Sequence, residues 1–87
     1  MNAEALASKY IEKADKTLRE MQRTHGSITV TEECVDDIIG YIYAYMEDAK
    51  YYKNQEKFET SLTSIAYCEG LLDALKLINA VKIPSSP

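Results

Sequence analysis

The sequence has no tryptophan, one histidine, one phenylalanine and two cysteines, and acidic side chains outnumber basic ones by fourteen to ten. A single histidine, His25, excludes metal sites built on two imidazoles, HExxH among them. No GxGxxG, P-loop or GxSxG occurs, so dinucleotide, nucleotide-phosphate and serine-hydrolase chemistry have no recognisable foothold. The longest apolar runs are far too short to span a bilayer. The opening Met1-Asn2-Ala3-Glu4-Ala5 lacks the basic-then-apolar pattern of a secretory signal. Cys34 and Cys68 are far apart and form no CxxC pair. They read as small buried hydrophobes kept reduced in a cytoplasm, with a disulfide as the alternative.

What is present suits one small helical domain. The 87 residues are 46% apolar, enough for a core and against general disorder. A chain this short buries only about 60% of its unfolded surface, so its stability is expected to be modest unless a partner adds to it. The net charge of −4 is unevenly spread: residues 1–23 carry five basic and four acidic groups, residues 24–87 five basic and ten acidic. That balance disfavours nucleic acid, which calls for a basic face.

Three helices are expected. Ala3, Leu6, Ala7, Tyr10, Ala14, Leu18 and Met21 recur at steps of three and four, predicting a helix over about 3–23. Glu12–Lys16 and Asp15–Arg19 stand in the favourable acid-first order, and Gly26 is the expected left-handed cap. Thr31 suits an N-cap, with Val30 and Val35 at staple spacing, for a helix over about 32–53. Its stripe is Val35, Ile38, Ile39, Ile42, Met46 and Ala49, flanked by Tyr41, Tyr45 and Tyr52. A polar turn, 53–57, forces the third helix, about 58–81, to run antiparallel beside the second. The β-branched run Ile28-Thr29-Val30-Thr31 is too short and solitary for a strand pairing. The fold class is therefore all-α, an up-and-down three-helix bundle over 1–83, with 84–87 as a flexible tail.

Few groups suggest chemistry. Glu32, Glu33, Asp36 and Asp37 sit where negative charge meets a helix N-terminus, and they point in different directions, so capping explains them better than a cation does. Arg19 and His25 fit the loose Arg-x(4–6)-His spacing of HEPN-type ribonucleases. Glu69 and Asp73 are a like-charge i, i+4 pair that needs a nearby cation, from Lys76 or from a basic partner. No catalytic, cofactor or metal residues are assigned.

The third helix is apolar nearly all round in its second half, through Leu71, Leu72, Leu75, Leu77, Ile78, Ala80 and Val81. Such a helix is buried or binds something. Gly40 lies mid-helix at a cost of about 1 kcal/mol relative to Ala, with Ala44 one turn later, both off the apolar stripe. Gly40, Ala44, Leu71, Leu75, Ile78 and Val81 are thus the candidate interaction surface.

Ala49-Lys50-Tyr51-Tyr52, a short turn, Phe58, and then Ile65-Ala66-Tyr67-Cys68-Glu69-Gly70-Leu71-Leu72-Asp73-Ala74-Leu75 resemble the archaeal family called domain of unknown function 357. The match is clear over the last two helices and extends to the first by length and pattern. Two departures stand out: Glu56 where the family pattern has Gly, and Cys68 for Ala. The resemblance implies a closed three-helix bundle in an archaeal cytoplasm and supplies no activity, substrate or cofactor. The Ala49-x-x-Tyr52…Phe58 hairpin is also similar to half of a tetratricopeptide repeat, without repetition.

The expected function is a non-enzymatic module that binds another protein or itself, a homodimer being one form of this. An RNA-related role at Arg19/His25 is the alternative, and small-molecule binding along the tyrosine flank a third.

Overall fold

The computed structural model describes residues 2–84, so the last three residues of the expected tail lie outside it. Three α-helices follow in order, α1 (Ala3–Glu20), α2 (Glu32–Asn54) and α3 (Phe58–Leu77), with no strand among the described residues. The chain is all-α. None of these helices is long and apolar enough to cross a membrane.

Each boundary has a local cause. Asn2 caps α1, its side-chain oxygen accepting from the Ala5 N–H at 2.7 Å, and Thr31 Oγ1 accepts from the Cys34 N–H at 3.1 Å to start α2. Helices α2 and α3 both stop in a Schellman motif. At α2 the Lys57 N–H bonds the Tyr52 carbonyl at 2.9 Å and Glu56 takes the left-handed conformation, φ 59°. At α3 the Ala80 N–H bonds the Leu75 carbonyl at 2.9 Å and Asn79 is left-handed, φ 60°. This turn ends α3 at Leu77, four residues before the expected 81, and folds Ala80 and Val81 back onto the core. Helix α1 also ends early, at Glu20, because Met21 is already extended (ψ 143°). Gly26, at φ 87°, therefore turns the linker and does not cap the helix.

Helices α2 and α3 pack as an antiparallel hairpin. Ile42, Cys68 and Leu75 are buried at its centre, and Val35, Ile38, Ile39, Tyr45, Met46, Leu71 and Leu72 pack around them. Near the turn, small side chains let the helices approach closely: Ala49 is buried and Ser61 Oγ donates to its carbonyl at 2.7 Å. Cys68 is a buried free thiol, as expected, whereas Cys34, in the first turn of α2, is free but exposed.

Helix α1 stands apart. It makes no packing contact with α2 or α3, and none of its residues is buried. Its apolar face, expected to line the bundle, is open: Leu6, Tyr10, Leu18 and Met21 are all exposed. The radius of gyration is 16.1 Å, where a compact chain of this length has about 12 Å. The accessible surface is 7996 Å², against roughly 5,200 Å² for a compact monomer of this mass.

Two substitutions test the hairpin. Glu56 holds a conformation that costs a side-chain-bearing residue about 1 kcal/mol, so Glu56→Gly should raise the urea midpoint at unchanged slope, by ~0.5–1 kcal/mol net of the added unfolded-state freedom. Ser61→Ala should lower stability by about 1 kcal/mol through loss of the interhelical hydrogen bond.

Candidate functional site

Because residues advance about 100° per position, each helix of the hairpin presents an inner stripe and two flanks. Tyr45 and Tyr67 meet across the helices with ring centroids 4.3 Å apart and planes tilted by 32°, which fixes the first flank. Ile38, Tyr41 and Tyr52 of α2 and Leu71 and Ala74 of α3, with the cap residue Ile78 just beyond it, fall on the same side. Ile39, Tyr43 and Met46 of α2 and Phe58, Leu62, Ile65 and Leu72 of α3 fall on the other. Both flanks are apolar, and both keep large side chains in the open: Tyr41, Tyr67 and Ile78 on one, Tyr43, Phe58 and Leu62 on the other. The three tyrosines expected on one flank do share it, with Tyr45 and Tyr52 half-buried and Tyr41 exposed.

At the open end of the hairpin lies a cleft of about 540 Å³ between the start of α2 and the turn after α3. Val30, Val35 and Asp36 line one wall, Ile78, Asn79 and Ala80 the other.

The candidate surface residues do not form one patch. Leu75 is corrected from surface to core: only 1% of it is exposed, because it lies on the inner stripe between Cys68 and the α3 turn. Leu71 and Val81 are half-buried against the same cluster. Ile78, at the cleft, is 54% exposed. Gly40 and Ala44 are exposed on the outer side of α2, opposite the stripe through Ile42, and a Cβ at Gly40 would meet nothing within 4 Å. The apolar character that sequence periodicity assigned to a continuous helix to 81 is thus shared between a core and a turned-back segment.

The chemistry-bearing groups are dispersed. Arg19 is in the last turn of α1, paired with Asp15 at 3.1 Å, and His25 is in the linker beyond the helix end. Among the described residues no three His, Cys, Asp or Glu side chains gather to hold a metal ion. The ion pairs among the described residues are Asp15–Arg19 and Glu47–Lys50, both exposed, so Lys76 does not pair with Asp73.

A family described as "Protein of unknown function (DUF357)" matches residues 9–81. The chain belongs to this family. The matched span takes in α2 and α3 whole and most of α1. No curated protein and no solved structure matches the chain.

The tyrosine pair has a pH signature. Charge on Tyr67 raises the Tyr45 phenol above its ordinary value, with partial desolvation adding to the shift. A raised acid contributes stability that is complete below the unfolded-state pKa and is lost as pH climbs through the folded-state value. The unfolding midpoint should therefore fall as pH rises through the ordinary phenol range and beyond, and Tyr45→Phe should flatten that fall. At Gly40, open space and helix propensity together predict that Gly40→Ala raises Tm by about 4–8 °C, corresponding to about 1 kcal/mol.

Proposed function

We propose that this chain is a non-enzymatic cytoplasmic module that binds another protein, or itself, through the open end of the hairpin. The observation that carries this is Ile78: a large aliphatic side chain more than half exposed, on a wall of a cleft whose other wall offers Val30 and Val35. Exposed apolar surface framed by polar groups is what protein interfaces use, and the framing here comes from Thr31, Glu32, Asp36 and Asn79. The two free thiols suit a reducing compartment. Half-buried Leu71 extends the surface along the tyrosine flank, whereas Gly40 and Ala44, on the outer side of α2, are a separate face. No observation favours the RNA reading over this one, since Arg19 and His25 lie on different elements.

Affinity capture on the tagged chain from nuclease-treated lysate, compared with Ile78→Asp, tests the assignment. The wild-type chain is expected to retain protein, another copy included, and Ile78→Asp to reduce recovery about tenfold or more, as loss of an interface anchor does. Circular dichroism and melting should change little, because Ile78 is outside the buried centre. Undiminished recovery by the variant would move the interface elsewhere, and recovery abolished by nuclease would favour RNA.

A further inference from the structure

The flank away from Tyr45–Tyr67 is a groove that α1 fits in chemistry, and in this structure α1 is elsewhere. We infer that the occupant of this groove is α1 of a second copy of the chain, so that two copies exchange their first helices and each hairpin completes a three-helix bundle with its partner's α1. This rests on the self-association reading above but uses a different surface from the Ile78 cleft.

Three observations carry it. First, the apolar complement is mutual. Leu62 is 68% exposed and Phe58 57% on the groove side, while Leu18 is 62% and Tyr10 58% exposed on α1. Second, the charges complement each other. Lys9, Lys13 and Lys16 form a row along one edge of the α1 apolar face. Glu69 and Asp73 edge the groove along α3 and have no cation within 4.0 Å among the described residues. With α1 parallel to α3, as in an up-and-down bundle, right-handed helix geometry turns the lysine edge toward α3 and the Ile11 edge toward α2. In level register Lys13 then comes opposite Glu69 and Lys16 opposite Asp73, supplying the cations that the like-charge pair lacks.

Third, the uncovered area is of dimer size. The chain exposes roughly 2,800 Å² more than a compact monomer of its mass, so two copies together could remove on the order of 5,000 Å², within the range of obligate homodimers. The linker suits exchange. Met21 is extended, residues 22–30 make no backbone hydrogen bonds with one another, and α1 is held off its own hairpin.

Light scattering on the full chain, with two charge-reversed variants, decides the matter. Twice the 9.8 kDa chain mass is expected at micromolar concentration, with an unfolding midpoint that rises with protein concentration. The variant Lys13→Glu/Lys16→Glu and the variant Glu69→Lys/Asp73→Lys should each dissociate to monomer, since each places like charges at both contacts of its own homodimer. Mixed in equal amounts they should recover a dimer, because every contact in the mixed pair is then between opposite charges. A helix closing on its own hairpin gains nothing from mixing.

A wild-type monomer, or variants that stay monomeric when mixed, would overturn the exchange. A wild-type dimer that both variants retain but Ile78→Asp abolishes would also overturn it, while supporting the cleft as the interface. If the exchange fails and Ile78→Asp still weakens partner capture, the proposed function stands without it.

Discussion

Two packed helices can bury only one stripe each, and that limit governs the rest of this structure. An antiparallel pair leaves two grooves beside its seam, and whatever lies in them stays wet until a third element arrives. Here the seam is short and well made. Ile42, Cys68 and Leu75 fill its centre, and the Ala49–Ser61 contact draws the helices together near the turn. The buried core is nevertheless thin: among the described residues its apolar members are Ile42, Ala49, Cys68 and Leu75 alone. A core of four small-to-medium side chains gives little stabilisation against the ordering of two helices totalling more than forty residues. The exposed aromatic and aliphatic side chains along both flanks are the area that a third helix would add.

The order in which the chain stops its helices follows the same constraint. Schellman turns at Glu56 and Asn79 end α2 and α3, recruiting the carbonyls of Tyr51, Tyr52 and Lys53 in one and of Ala74, Leu75 and Lys76 in the other, although neither position is glycine. Both turns lie on the packed hairpin, where tertiary contact offsets left-handed strain. Helix α1 has no such contact and simply runs out at Glu20, its last turn supported by the Asp15–Arg19 pair and the Met21 N–H to Thr17. Where packing is present the ends are specified by geometry, and where it is absent they are left to local propensity.

Much of this was legible in the sequence. Apolar periodicity located all three helices, Thr31 marked the start of α2 through its hydroxyl, and the brevity of the polar turn at 53–57 required an antiparallel hairpin. The end of α3 was not legible. Ile78, Ala80 and Val81 continue an apolar pattern, and only the left-handed Asn79 turns them back, a conformation that asparagine tolerates without demanding. That one turn moved Ala80 and Val81 onto the core and left Ile78 exposed. Leu75 was misassigned for a related reason: a helix apolar on all sides gives no internal contrast, so periodicity cannot say which of Leu71, Leu72 and Leu75 faces in. The separation of Gly40 and Ala44 from Ile78 was readable by arithmetic, since they lie opposite Ile42 on the expected stripe.

The charge pattern ties these levels together. Residues 1–23 are slightly basic and the rest of the chain is strongly acidic, an asymmetry with no purpose for three independent solvated helices. On a helix that docks against an acidic hairpin it has one: the lysine row borders the apolar face of α1, and Glu69 and Asp73 border the groove. Hydrophobic area supplies most of the attraction between such surfaces and is indifferent to register. Charges at the margin choose which groove is filled and in which direction the helix runs, because the wrong groove or the reversed helix would carry the lysine row away from Glu69 and Asp73. A like-charge pair that is mildly unfavourable on an isolated helix thereby becomes the feature that specifies its partner.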